Sequence, residues 1–100
     1  MRTIRYLDAA RAEFLHEVAY FGGVSDRLAE AFDNAVRAAE LRAAERPEAG
    51  SAYQHGTRRV FPKKFPFSLV YVTRPDEVVV IALAPFKRKP GYWKRRLRDS

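Results

Sequence analysis

The chain has no cysteine, so disulfides and thiolate metal sites are excluded. Histidine is scarce too. His16 and His55 are the only two, and neither a metal site nor any cofactor is expected from them. No apolar run outlasts Val78–Ala84, far short of the ~20 residues that span a bilayer. No apolar stretch followed by a small-residue cleavage site stands near Met1, so no signal peptide is expected and the expected location is the cytoplasm. Internal repeats and low-complexity tracts are also missing. Acidic residues run short in one half only. Residues 57–100 hold three Asp and Glu against twelve Lys and Arg, while residues 1–56 hold nine against seven.

What is present fits a single small domain over residues 1–100 with one modest core. Apolar residues make up 47% and thirteen are aromatic, which argues against disorder. The net charge of +7 therefore belongs to the C-terminal half. Its densest part is Pro85–Asp99, where seven bases surround Tyr92 and Trp93. Clustered Lys and Arg suit a polyanion or an acidic protein surface, and rings among them add stacking faces or interface anchors. This segment follows at once on Val78–Ala84, so it is expected to be held at the end of a buried strand.

Periodicity orders the elements. Met1–Leu7 reads as a strand with Ile4 and Tyr6 on one face. Asp8 is the expected N-cap of a helix whose apolar stripe is Phe14, Leu15, Val18 and Ala19. Gly22-Gly23 is expected to end it through a left-handed exit. Ser25 caps a second helix with a stripe of Leu28, Phe32, Ala35, Val36 and Ala39, running to about Glu45 before Pro47. The short connection makes the pair an antiparallel hairpin. After a loop over Pro47–Gly56, three strand-length runs follow at Thr57–Lys63, Phe67–Thr73 and Val78–Ala84, the last two joined by a turn at Arg74-Pro75-Asp76-Glu77. The last run is apolar on both faces, as a central strand covered on both sides would be. The order is β-α-α-β-β-β. The expected class is α+β, a mostly antiparallel sheet with the helical hairpin packed on one face.

Three stretches in this order carry a resemblance. They are the hairpin ending in Arg46-Pro47-Glu48, the run from Arg58-Arg59 through Phe61-Pro62 to Val70-Tyr71, and the apolar strand leading into Lys87-Arg88-Lys89-Pro90-Gly91-Tyr92-Trp93-Lys94-Arg95-Arg96. Together they resemble the RelE/ParE superfamily, the growth-arresting toxins of type II toxin–antitoxin systems. The ending is similar to the branch labelled plasmid stabilisation proteins. The resemblance implies a cognate antitoxin as partner, a toxin–antitoxin hetero-oligomer and no membrane. It implies one of two targets: the ribosome and its mRNA, cut without a metal, or DNA gyrase, inhibited without cleavage.

Metal-free RNA cleavage requires cations to stabilise transition-state charge and rings to hold the base. By the resemblance the expected catalytic residues are Arg88, Tyr92, Arg59 and Lys63. The expected RNA- or target-binding residues are Arg58, Lys64, Lys87, Trp93, Arg95 and Arg96. Ribosome-associated mRNA cleavage is the leading expectation; a gyrase inhibitor and an inactive relative are the alternatives. Two positions depart from the pattern. Ser68 stands where RelE-like nucleases carry an arginine, and Phe86 where many relatives carry a polar residue. His55 is the remaining candidate base, and His16 reads as a helix-surface residue. Structural uses compete for the same side chains. Trp93 can cap the core against the helices, Arg58-Arg59 can pair with Glu13 or Glu17, and Pro90-Gly91 can serve only to turn the tail back over the sheet.

Overall fold

In the computed structural model, which describes all of residues 1–100, β1 (Thr3–Tyr6) leads into α1 (Asp8–Gly22) and α2 (Asp26–Glu45). Four strands follow: β2 (Ser51–Ala52), β3 (Arg58–Val60), β4 (Phe67–Thr73) and β5 (Glu77–Pro85). Short 3-10 turns sit at Pro47–Ala49, Gln54–Gly56 and Lys94–Asp99. The sheet order is β1-β5-β4-β3-β2. Only the β1–β5 pair is parallel. The fold is the expected α+β arrangement, with β2 as an added two-residue strand on the far edge.

β5 lies inside the sheet because both of its faces are apolar, and both are covered. One face, with Val78, Val80 and Leu83, meets Phe32, Val36, Ala39 and Ala43 of α2. Phe14, Phe21, Phe32, Phe65 and Phe67 pack there as an aromatic cluster, for example Phe21–Phe32 at 4.9 Å and Phe32–Phe65 at 5.1 Å, tilted geometries that suit ring quadrupoles. The opposite face, with Val70, Val79, Ile81, Ala82 and Ala84, is covered by the tail. Trp93 is 1% exposed there, with Tyr53, Tyr92 and Leu97 around it. A bulge makes this second face. Val70 pairs with Ala82 and Tyr71 with Val80, so Ile81 is the extra residue and points with Ala82 toward the tail.

Several local expectations are corrected. Trp93 packs on the sheet, not on the helices. The N-cap of α1 is Leu7, with no side-chain cap bond; Asp8 is already in the first turn. The buried side of α1 is Ala10, Phe14, Val18 and Phe21, while Leu15 is 56% exposed. Gly23 closes α1 in right-handed geometry at φ −66°, so glycine's left-handed freedom is not used there. It is used at Gly91, with φ +80°, where the chain turns back over the sheet. β3 ends at Val60 rather than Lys63. Pro62 has no N–H to give a ladder, and Lys64 takes a left-handed φ of 71°. By contrast Ser25 caps α2 as expected, accepting from the Leu28 N–H at 3.0 Å.

Candidate functional site

β1 stops at Tyr6, so the outer edge of β5 beyond Val80 has no strand partner. Bare backbone groups there need satisfaction. α1 supplies it through Glu13. Its Oε1 accepts from the Leu83 N–H at 3.1 Å, and Arg96 comes from the tail to donate to Ile81 O at 3.1 Å. Arg96 also grips both Glu13 oxygens, at 2.9 and 3.0 Å, a two-pronged pair of the stronger kind. The Tyr92 hydroxyl donates to Oε2 at 2.5 Å, and Arg88 Nη1 stands 4.0 Å from the same oxygen. One carboxylate thus collects α1, β5 and the tail.

The network sets protonation. Burial raises the Tyr92 phenol well above its usual value, and the hydrogen bond to Glu13 with its negative charge raises it further. It stays protonated at neutral pH. For Arg96, burial works against the charge, but the Glu13 hydrogen bond and charge outweigh it and its pKa is raised. Arg88 lies over the Tyr92 ring, 3.7 Å from its centre, a cation–π contact that helps fix both side chains.

Beside this network the tail and the ends of β3–β5 enclose a cleft of about 340 Å³. Arg59 from β3 enters it with its guanidinium over the rings of Tyr53, at 4.0 Å, and Phe61, at 5.0 Å. Its Nη1 lies 3.4 Å from Ser68 Oγ, a long contact, and its buried Nε has no partner. Arg88, Lys89, Tyr92, Trp93 and Phe86 complete the walls. No carboxylate or imidazole lines the cleft. Three cations and several ring faces suit an anion attached to a planar or apolar group.

Of the residues expected from the sequence, the cleft brings together Arg59, Arg88, Tyr92 and Trp93, along with the departure positions Ser68 and Phe86. Lys63 lies in a shallow groove with Arg42 and Ser51, which Arg59 also borders. Arg58 is turned into the loop, donating to Gly50 O at 2.8 Å and Glu48 O at 3.3 Å. Lys64 and Lys87 line a separate groove against α1. Arg95 is exposed, and Arg96 is spent on Glu13. Glu13 does pair with a base, but with Arg96 instead of Arg58 or Arg59. His55 lies outside the cleft, edge-on to Trp93 at 6.0 Å, and His16 is exposed on α1. No group of three His, Asp or Glu is placed to hold a metal, and no helix is long and apolar enough to cross a membrane. Sequence reasoning missed Tyr53, Phe61 and Lys89 as cleft walls. Tyr53 sits in an irregular loop where no periodicity marks it, and Phe61 stands two residues after Arg59, one past the end of β3, a spacing that is the one signal that pairs them.

No protein-family model and no curated protein matches the sequence. Among solved structures, a chain described as "Chromosomal ParDE TA system from P. aeruginosa" is similar in fold, with a TM-score of 0.74 at 12% identity. The match covers 87% of this chain and 98% of that one.

Proposed function

We propose that the chain is the growth-arresting toxin of a toxin–antitoxin pair, acting by gripping a macromolecular target with its basic cleft and tail. Two things support the toxin reading: the three sequence stretches described above and the fold shared with a chain from a toxin–antitoxin system. The reading of binding without cleavage rests on one observation. The cleft gathers Arg59, Arg88 and Lys89 among aromatic rings but has no carboxylate or imidazole to take a proton, and its Tyr92 phenol is committed to Glu13. A binding toxin needs no proton acceptor. DNA gyrase is the target class this reading favours, with a cognate antitoxin as the silencing partner in a hetero-oligomer.

Ribosome-associated mRNA cleavage is the second reading. Arg59, with an unpartnered buried Nε, and Arg88 stand where cations could stabilise a developing phosphorane, beside rings that could stack a base. Controlled expression with parallel labelling of DNA and protein synthesis separates the two. Early arrest of DNA synthesis with a DNA-damage response is the expected outcome. Early arrest of translation with transcripts cut within codons would establish the second reading instead. Unaltered growth would reject both and leave an inactive relative.

A further inference from the structure

A second hollow lies at the other end of the tail and shares no lining residue with the cleft. It holds about 410 Å³ between the Gln54–Gly56 turn, the strands β3 and β4, and Leu97 and Ser100 of the tail. Three basic side chains line it, His55, Arg58 and Arg74, and no Asp or Glu does. Neither arginine forms an ion pair with a carboxylate side chain. Oxygen acceptors hold both in place instead. Arg58 Nη1 donates to Gly50 O at 2.8 Å and Glu48 O at 3.3 Å, which leaves its Nε and Nη2 uncommitted. Arg74 donates through Nη2 to Ser100 O and Oγ, at 3.2 and 3.1 Å, and through Nη1 to Thr73 O at 3.4 Å, which leaves its Nε. The His55 ring makes no hydrogen bond within the chain, and Thr73 adds a hydroxyl to the lining.

We propose that this hollow is a phosphate-binding site, separate from the cleft, for a small ligand such as inorganic phosphate or a nucleoside monophosphate. The inference goes beyond the toxin reading and does not need it. Fixed guanidinium groups with spare N–H donors are ready anion sites, since little side-chain freedom is left to lose on binding. The donors come from three elements: the Gln54–Gly56 turn, β3 and the end of β4. A planar carboxylate is satisfied by one guanidinium fork. A tetrahedral phosphate offers oxygens in several directions and suits donors that arrive separately. Val72 and Leu97 give the hollow an apolar wall for whatever carries the phosphate, and its volume is that of a small-ligand site.

Thermal unfolding of the full chain in inorganic phosphate or adenosine monophosphate, against sodium chloride at equal ionic strength, tests this. A ligand that binds the folded chain raises its melting temperature. A saturable rise with phosphate that chloride does not reproduce is expected. A tighter dissociation constant for the monophosphate assigns a nucleotide, and equal constants assign the free ion; both support the site. The dissociation constant should weaken about tenfold in Arg74→Ala and in His55→Gly and stay unchanged in Arg88→Ala, which removes a cation of the cleft. Glycine accepts the φ of 60° at His55 without strain, so that variant keeps its backbone while losing the imidazole. Backbone amide shifts on phosphate addition should centre on Gly56, Thr73 and Arg74. No saturable effect, equal binding by the His55 and Arg74 variants, or loss of binding in Arg88→Ala would overturn the proposal. So would binding of single-stranded RNA alone, since the charge would then serve a polymer and not a small phosphate.

Discussion

Glu13 is the side chain on which most depends, and its replacement gives the sharpest prediction. Glu13→Ala leaves the Arg96 guanidinium, 21% exposed, without its counter-charge, and removes the acceptor of Leu83 N–H and Tyr92. The expected cost is roughly 3 kcal/mol, the lower end for breaking a buried pair. Urea denaturation should show it, and the emission of Trp93, the only tryptophan, should shift to the red as the tail loosens. Tyr92 gives a pH prediction. Its folded pKa lies above the usual 10.0, so the unfolded chain loses this proton first as pH rises. The stabilisation is complete below pH ~10 and is lost as pH climbs toward the folded pKa. Melting temperatures measured from pH 8 to 11 should fall with a shallower slope in Tyr92→Phe. Much at this scale was legible in the sequence. The basic-aromatic ending pointed to Arg88, Tyr92 and Trp93, and with Phe86 and Lys89 five of the cleft's cations and rings lie there. What was hidden was which base meets which acid. Arg58, Arg59 and Arg96 look alike as letters; the turn at Gly91 brings Arg96 back to Glu13, while the Glu48 and Gly50 carbonyls hold Arg58 in its loop.

At the scale of elements, strands β4 and β5 were readable because β-branched and aromatic runs bounded by turn residues leave few other conformations. α2 was readable from its stripe and its Ser25 cap. α1 was not. Apolar residues surround it, so periodicity could not choose a face, and the structure buries Phe14, Val18 and Phe21 while leaving Leu15 and Tyr20 outside. Of these outward residues Tyr20 lines the groove against α1. Two predictions belong here. Phe32→Ala empties the centre of the aromatic cluster that joins the hairpin to the sheet, and should cost about 3–5 kcal/mol in denaturant unfolding. Gly50→Ala places a Cβ against the Tyr71 ring, whose hydroxyl donates to Pro47 O at 2.5 Å. Crowding of that buried pair should lower the melting temperature, and Tyr71→Phe in the same background should recover part of the loss by removing the clashing oxygen.

For the whole molecule the charge divides with the sequence: residues 57–100 carry the excess of Lys and Arg, and the fold gathers Arg59, Arg88, Lys89 and the exposed Lys94 and Arg95 around the tail. A partner of opposite charge should associate quickly at low salt. Its association rate should drop steeply between 50 and 300 mM salt while the dissociation rate changes little, which stopped-flow measurement of Trp93 emission would check. The Glu13 carboxylate has a last consequence, one of timing. It binds Tyr92 and Arg96 across 79 and 83 residues of chain. During synthesis, at roughly 5–20 residues per second, the hairpin and most of the sheet are made before the tail exists. Until the tail folds back, Val79, Ile81 and Ala82 have no cover on that face, and the cleft has only its Tyr53–Arg59–Phe61 side. The grip is therefore closed last, when the final residues of the chain reach back to a helix made near its beginning.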